Sequence, residues 1–179
     1  MKSERPRVFL VDDDEMVLAA MEDQLCSFCD CVTVHDPRRA LAMLAEQPFD
    51  VILSDQVMPH MSGDQLLAKV YQCWPEVERI LITGQADTRS VARAVNQGQI
   101  FYYLSKPWDP GQLIEAVQKA YTRSLEKRQH QEVFRQACKE RNQALQALEE
   151  YRGQSNKMHG DVRPGLSLKR FLTRSGRTC

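Results

Sequence analysis

The chain reads as an α/β domain on a five-stranded, parallel, doubly wound sheet with an extended C-terminal helix. Three observations predict this. Apolar runs of strand length alternate with segments of helical period, the pattern of βαβ units. Pro, Gly and small polar residues punctuate the changes of period. Asp12, Asp13, Asp55, Thr83 and Lys106 each close or directly follow an apolar run, where an open parallel sheet places the residues of its crevice.

Strands are expected near residues 7–11, 31–34, 50–54, 79–83 and 100–104. The first helix faces its sheet through Val17, Leu18, Met21 and Leu25, and the second through Ala40, Leu41, Leu44 and Ala45. Leu66, Leu67 and Val70 give the third apolar face, and Val91, Ala92 and Val95 the fourth. Pro37 and Ser62-Gly63-Asp64 precede helices, while Pro48, Trp74-Pro75 and Gly98 close them. The fifth helix begins at Asp109-Pro110, Asp as N-cap and Pro at the first helical position, and packs through Leu113, Ile114, Val117 and Ala120. The globule spans residues 5–121.

Residues 122–152 lack Pro and Gly and are dense in helix formers, so the helix is expected to continue. A sparse heptad seam runs along it, with Val117, Ser124, Gln131, Cys138 and Leu145 at one position and Ala120, Lys127, Phe134, Arg141 and Leu148 at the other. That seam suits a conditional homodimer. From Gly153 to residue 179 the periodicity is lost, and Lys157, Arg163, Lys169, Arg170, Arg174 and Arg177 face only Asp161, so a basic, disordered tail is expected.

Lys+Arg and Asp+Glu balance at 24 each among 179 residues, which gives no overall footprint of a nucleic-acid or membrane-surface binder. No apolar stretch approaches the roughly 20 residues of a membrane span, no signal peptide is expected, and the protein is read as cytoplasmic. The six cysteines are expected to be reduced. Cys26, Cys29 and Cys31 with His35 could mark a metal site, but zinc sites show two clear ligand pairs, so small buried thiols are the better reading.

Three clustered carboxylates repel one another and are relieved by a hard divalent cation, for which Mg²⁺ is the best fit because it takes few carboxylates alongside phosphate oxygens and water. Asp13 and Asp55 would bind it directly and Asp12 through water. A carboxylate so held can attack a phosphoryl group, which makes Asp55 the nucleophile. Lys106 and Thr83 would stabilise charge on the transferred group, and Gly84 would leave room for it.

These residues closely resemble the receiver domain of two-component response regulators. The resemblance rests on Val11-Asp12-Asp13-Asp14, on Asp55-Gln56-Val57-Met58-Pro59 followed by Met61-Ser62-Gly63, on Ile82-Thr83-Gly84, and on Lys106-Pro107, in that order. It covers about residues 5–121 and implies a flavodoxin-like fold with Asp55 as phosphoacceptor and a sensor histidine kinase as donor. It further implies Asp12 and Asp13 as the acidic pocket, the Val57 carbonyl as a further Mg²⁺ ligand, Thr83 as switch hydroxyl, Tyr103 as switch aromatic, and a cis Lys106-Pro107 bond. Phosphorylation would draw Thr83 inward, free space for Tyr103, and repack the face of the fourth helix, fifth strand and fifth helix, including Arg89, Arg93, Gln97, Tyr102 and Trp108. Trp108 is read either as an exposed anchor or as a ring packed over the end of the sheet.

Such a protein is a phosphoacceptor switch with self-catalysed transfer and autodephosphorylation, not an enzyme acting on other substrates. Val57 and Gln85 lie where the family tunes hydrolysis, and an apolar Val57 cannot orient water, so slow loss of phosphate is expected. The stretches Leu81-Ile82-Thr83-Gly84-Gln85-Ala86-Asp87 and Phe101 to Pro110 look like receivers of hydrogenase-type transcription regulators or HD-GYP-class enzymes. The expectation is a receiver cut from a longer regulator or a single-domain regulator, with nucleic acid reached only through an output domain outside this sequence. Two alternatives are a degenerate receiver that binds partners without phosphorylation and a haloacid dehalogenase-type phosphatase. The intact constellation argues against the first, and Asp55 with Lys106-Pro107 against the second.

Overall fold

Alternate residues of the central strands face opposite ways, so each strand feeds two cores. In the computed structural model, which describes residues 5–84 and 100–159 and side chains as far as 152, five parallel strands form one sheet. They are β1 (Arg7–Val11), β2 (Asp30–Val34), β3 (Val51–Asp55), β4 (Glu78–Thr83) and β5 (Tyr102–Ser105), in the order β2-β1-β3-β4-β5. The register pairs Val11 with Ser54 and Asp55 with Ile82, which brings the C-terminal ends of β1, β3 and β4 level.

Helix α1 (Glu15–Leu25) and the C-terminal helix (Pro110–His159) cover one face; α2 (Pro37–Glu46) and α3 (Gly63–Cys73) cover the other. Phe9, Val11, Ile52 and Leu81 meet Leu44, Leu66, Leu67 and Val70, while Val8, Leu10, Leu53, Ile80 and Ile82 meet Leu18, Met21, Leu25, Leu113 and Val117. This is period-2 burial on both sides of a parallel sheet. Met43, half-buried, takes the place on α2 that the periodicity assigned to Ala45, which is exposed.

The helix starts follow local chemistry. Asp14 caps α1 by accepting from the Met16 amide at 2.8 Å, and Asp36 caps α2 by accepting from the Arg38 amide at 2.8 Å, with Pro37 in the first turn. A side-chain bond from Arg38 holds the Asp36 carboxyl down at about 2. Asp109 caps the C-terminal helix, its carboxylate accepting from Gly111 at 2.8 Å and Gln112 at 3.2 Å. The predicted fourth helix, with Val91, Ala92, Val95, Gly98, Arg89, Arg93 and Gln97, lies outside the described residues.

The C-terminal helix departs from expectation in two ways. It runs through Gly153 to His159, where a disordered tail was expected, because one glycine costs a helix only about 1 kcal/mol against alanine. Residues 160–179 lie outside the described residues. The first heptad positions are also used by the domain itself, since Val117, Ala120 and Ser124 are fully buried. The compact unit accordingly extends to Glu132.

Carboxylates at the N-terminal ends of β3 and β4 hold that part of the helix. Asp50, just before β3, pairs with Arg128 and accepts from the Arg7 amide at 2.7 Å. Glu78, the first residue of β4 and 1% exposed, has Lys127 at 2.5 Å, Arg123 at 3.3 Å and Arg79 at 3.6 Å. None of the three donates an aligned hydrogen bond to it; the ammonium of Lys127 instead donates to the Pro75 carbonyl at 3.0 Å.

The second compact unit, from Val133, presents Val133, Phe134, Leu145, Leu148 and Tyr151 exposed on the helix. No described helix is long and apolar enough to cross a membrane. The described cysteines, Cys26, Cys29, Cys31, Cys73 and Cys138, are unpaired thiols. Burial pushes Cys29 up to about 12 and Cys31 up to about 11, and Cys29 packs against the α1 side of the sheet; Cys31 is half-buried and Cys26 exposed, so the reading as buried thiols holds for Cys29 alone.

Candidate functional site

The strand order reverses between β1 and β3, and their C-terminal ends open into the crevice where parallel sheets bind ligands. Asp12 follows β1 and is fully buried; Asp55 ends β3 and is almost so. Two buried carboxylates need compensation, and Lys106, just past β5, supplies it. Its ammonium lies 2.9 Å from Asp12 Oδ2 and 2.5 Å from Asp55 Oδ1. Desolvation works against that charge, but the hydrogen bonds and attraction of Asp55 and Asp12 prevail and raise the Lys106 pKa.

The remaining carboxylate oxygens take backbone donors. Asp12 Oδ1 accepts from the Asp14 amide at 2.9 Å, and Asp55 Oδ2 from the Val57 amide at 2.6 Å. The Val57 side chain is 75% exposed, so this residue meets the site through its backbone. Asp13 stands exposed at the start of the following turn. Among the described residues no three His, Cys, Asp or Glu side chains converge on one ion, so the three-carboxylate cluster expected from the sequence is here a pair, Asp12 and Asp55, bridged by Lys106.

The donor set fits Mg²⁺ by its chemistry: hard carboxylate oxygens from two strand ends, a neighbouring exposed carboxylate, and too few protein ligands for a closed cage.

Thr83, at the end of β4, is buried and its hydroxyl donates to the Gly84 carbonyl at 3.1 Å. The Lys106 amide donates to the Thr83 carbonyl at 2.7 Å, tying the two strand ends together. A Cβ placed on Gly84 meets no atom of the described residues within 4 Å. Tyr103 is 51% exposed, so it is not a core ring. The Lys106-Pro107 bond is cis. Trp108 takes the second of its two readings: half-buried against the α1 side of the sheet, its indole N–H donates to Gln24 of α1 at 3.1 Å.

Three residues near Asp55, which the sequence gives only as parts of the family motif or of a helix start, shape the site. Gly63 opens α3 with its Cα against the Asp55 carbonyl, and a Cβ there would lie 2.0 Å from that oxygen. Gln56 is buried, and its side chain bonds Asp64 twice. Ser62-Gly63-Asp64 signals a helix start, Met61-Ser62-Gly63 belongs to the family motif, and nothing local tells a capping residue from one that shapes the site.

Residues 8–118 match the family model described as the response regulator receiver domain. Among similar proteins, the hydrogenase transcriptional regulatory protein HoxA of Cupriavidus necator is 37% identical over 120 residues, 67% of this chain and 25% of that protein. The DNA-binding transcriptional regulator NtrC of Salmonella typhimurium is 34% identical over 127 residues, 70% of this chain and 27% of that protein. The chain thus spans about a quarter of the length of these relatives. A solved signal receiver domain of an HD domain-containing protein from Pseudomonas fluorescens is 35% identical with a TM-score of 0.68, over 72% of this chain and 96% of that one.

Proposed function

Because the chain belongs to the response regulator receiver domain family, we propose that it is a phosphorylation-controlled switch that takes a phosphoryl group from a histidine kinase onto Asp55. The observation that carries the reading is the single ammonium of Lys106 shared by the buried carboxylates of Asp12 and Asp55. An aspartate prepared in this way has a cation beside it to receive phosphoryl oxygens, and the Val57 amide already aims at the same carboxylate.

In the reaction a carboxylate oxygen of Asp55 attacks phosphorus in line. The phosphorus–nitrogen bond of the donor phosphohistidine breaks, and its electron pair returns to the imidazole. Lys106 holds an oxygen of the transferred group and offsets charge left on Asp12. Asp12, Asp55 and the Val57 carbonyl, with Asp13 turned in from its exposed position, would hold Mg²⁺, which would supply neutralisation of phosphoryl charge. Thr83 then exchanges its bond to the Gly84 carbonyl for a phosphoryl oxygen. The space so vacated admits the Tyr103 ring, and the face around β5 changes. The apolar Val57 side chain orients no water, so the phosphoryl group is lost slowly; Gln85, the other position of this kind, lies outside the described residues.

The receiver and its helical extension to residue 152 pass the change on by pairing two copies through the exposed Phe134, Leu145 and Leu148 stripe, in the cytoplasm. The likeness to HoxA and NtrC supports an output in transcription, through parts of a regulator that this chain does not span.

Intact mass after incubation with acetyl phosphate and Mg²⁺ tests the reading. One phosphoryl group is gained by the wild type and none by Asp55→Asn or in the presence of EDTA; a wild type that gains nothing, or an Asp55→Asn chain that gains as much, refutes it.

A further inference from the structure

We propose that Gln56 and Asp64 are the positioning pair of the phosphoacceptor loop, holding the Val57 backbone against Asp55; this rests on the reading of Asp55 as phosphoacceptor. The loop from β3 to α3 carries Val57, whose amide donates to Asp55 Oδ2 at 2.6 Å and whose carbonyl is the backbone ligand assigned to Mg²⁺. It also contains a strained residue. His60 has φ 70°, and the Met61 amide donates to the Pro59 carbonyl at 2.8 Å, which makes a γ-turn centred on a residue with a Cβ. Such a conformation persists only where the surroundings over-determine it.

The surroundings here converge on Gln56, which is buried with all four of its polar groups engaged. Its amide donates to the Ile82 carbonyl at 2.8 Å, and its carbonyl accepts from Gly63 at 3.0 Å. Its side chain donates to Asp64 Oδ1 at 3.2 Å and accepts from the Asp64 amide at 3.2 Å. Asp64 Oδ1 also accepts from the Ser62 hydroxyl at 2.5 Å. The side-chain amide therefore ties the residue after Asp55 to the first turn of α3, across the strained turn. A shift of Gln56 moves the peptide that it shares with Val57, which carries the N–H aimed at Asp55. A side chain that served only to cap α3 would need no such link.

The experiment compares the full chain with Gln56→Leu, Asp64→Asn and Phe49→Leu, the last a buried core change before the other end of β3 that controls for lost stability. Amide hydrogen exchange is followed in the metal-free protein, and the rate of phosphoryl gain from acetyl phosphate is followed against Mg²⁺ concentration. In Gln56→Leu, exchange at Val57 and Gly63 is expected to quicken about tenfold beyond any change at Leu53. The Mg²⁺ half-saturation should rise about tenfold, the usual scale for loss of a group that orients a ligand, with the saturated rate nearly unchanged. Asp64→Asn keeps the acceptor oxygen but loses its charge, and should raise the half-saturation in the same direction as Gln56→Leu but by less. An unchanged half-saturation in Gln56→Leu, or the same shift in Phe49→Leu, overturns the proposal. If the wild type itself gains no phosphoryl group, the reading of Asp55 fails instead, and exchange at Val57 alone decides whether Gln56 positions the loop.

Discussion

Arg128 of the C-terminal helix pairs with Asp50, which stands at the opposite end of β3 from Asp55. Glu78, facing Arg123 and Lys127, likewise begins the strand that ends at Thr83. The two strands that end in Asp55 and Thr83 therefore start at or just after the carboxylates that hold this part of the helix.

Arg128→Ala should cost about 1–2 kcal/mol, the lower part of the range for a lost ion pair because the arginine is partly exposed. Asp50→Ala should cost more, since the Arg7 amide loses its acceptor as well. Urea denaturation gives both values, and trypsin should cut faster after Lys127 in Arg128→Ala. Equal midpoints and equal cleavage in wild type and both variants would show that the pair holds nothing.

Gly63→Ala places a methyl 2.0 Å from the Asp55 carbonyl oxygen, so α3 or the end of β3 must move. The expected loss is about 1–3 kcal/mol, as for other overpacked sites. Phosphoryl gain should fall with it, because Asp55 itself is displaced. A melting temperature and phosphorylation rate equal to wild type would show that the backbone at Gly63 does not constrain Asp55.

Lys106 has a raised pKa, so the stability it contributes is fully present below the unfolded value of about 10.4 and is lost as pH rises through the folded one. Lys106→Met leaves Asp12 and Asp55 buried without their shared cation. The gap in urea midpoint between wild type and this variant should be full at pH 8 and shrink at strongly alkaline pH. A gap that grows with alkalinity would contradict the ion triad.

The exposed stripe beyond Glu132 predicts the oligomeric behaviour. Light scattering should show dimers after treatment with acetyl phosphate and Mg²⁺, and Leu145→Asp with Leu148→Asp should leave monomers while Asp55 is still phosphorylated. A monomer in the activated wild type would rule out pairing through this helix.

The sequence by itself determined the five-stranded sheet, the helix starts at Pro37, Ser62-Gly63-Asp64 and Asp109-Pro110, and the strand-end residues. Each of those signals is local: a period of two or of 3.6, a cap beside a proline, a carboxylate closing an apolar run. It also sufficed for family membership, because the motif residues stand in fixed order along the chain. Only the tertiary structure decided that Asp12 and Asp55 share Lys106 while Asp13 stays exposed, that Trp108 turns inward to Gln24, and that the first heptad positions belong to the domain core. It alone paired Asp50 and Glu78 with the cations of the C-terminal helix. Those partners lie far apart in sequence, and a charge on a helix reads the same whether it faces water or a buried carboxylate until the fold brings the two together.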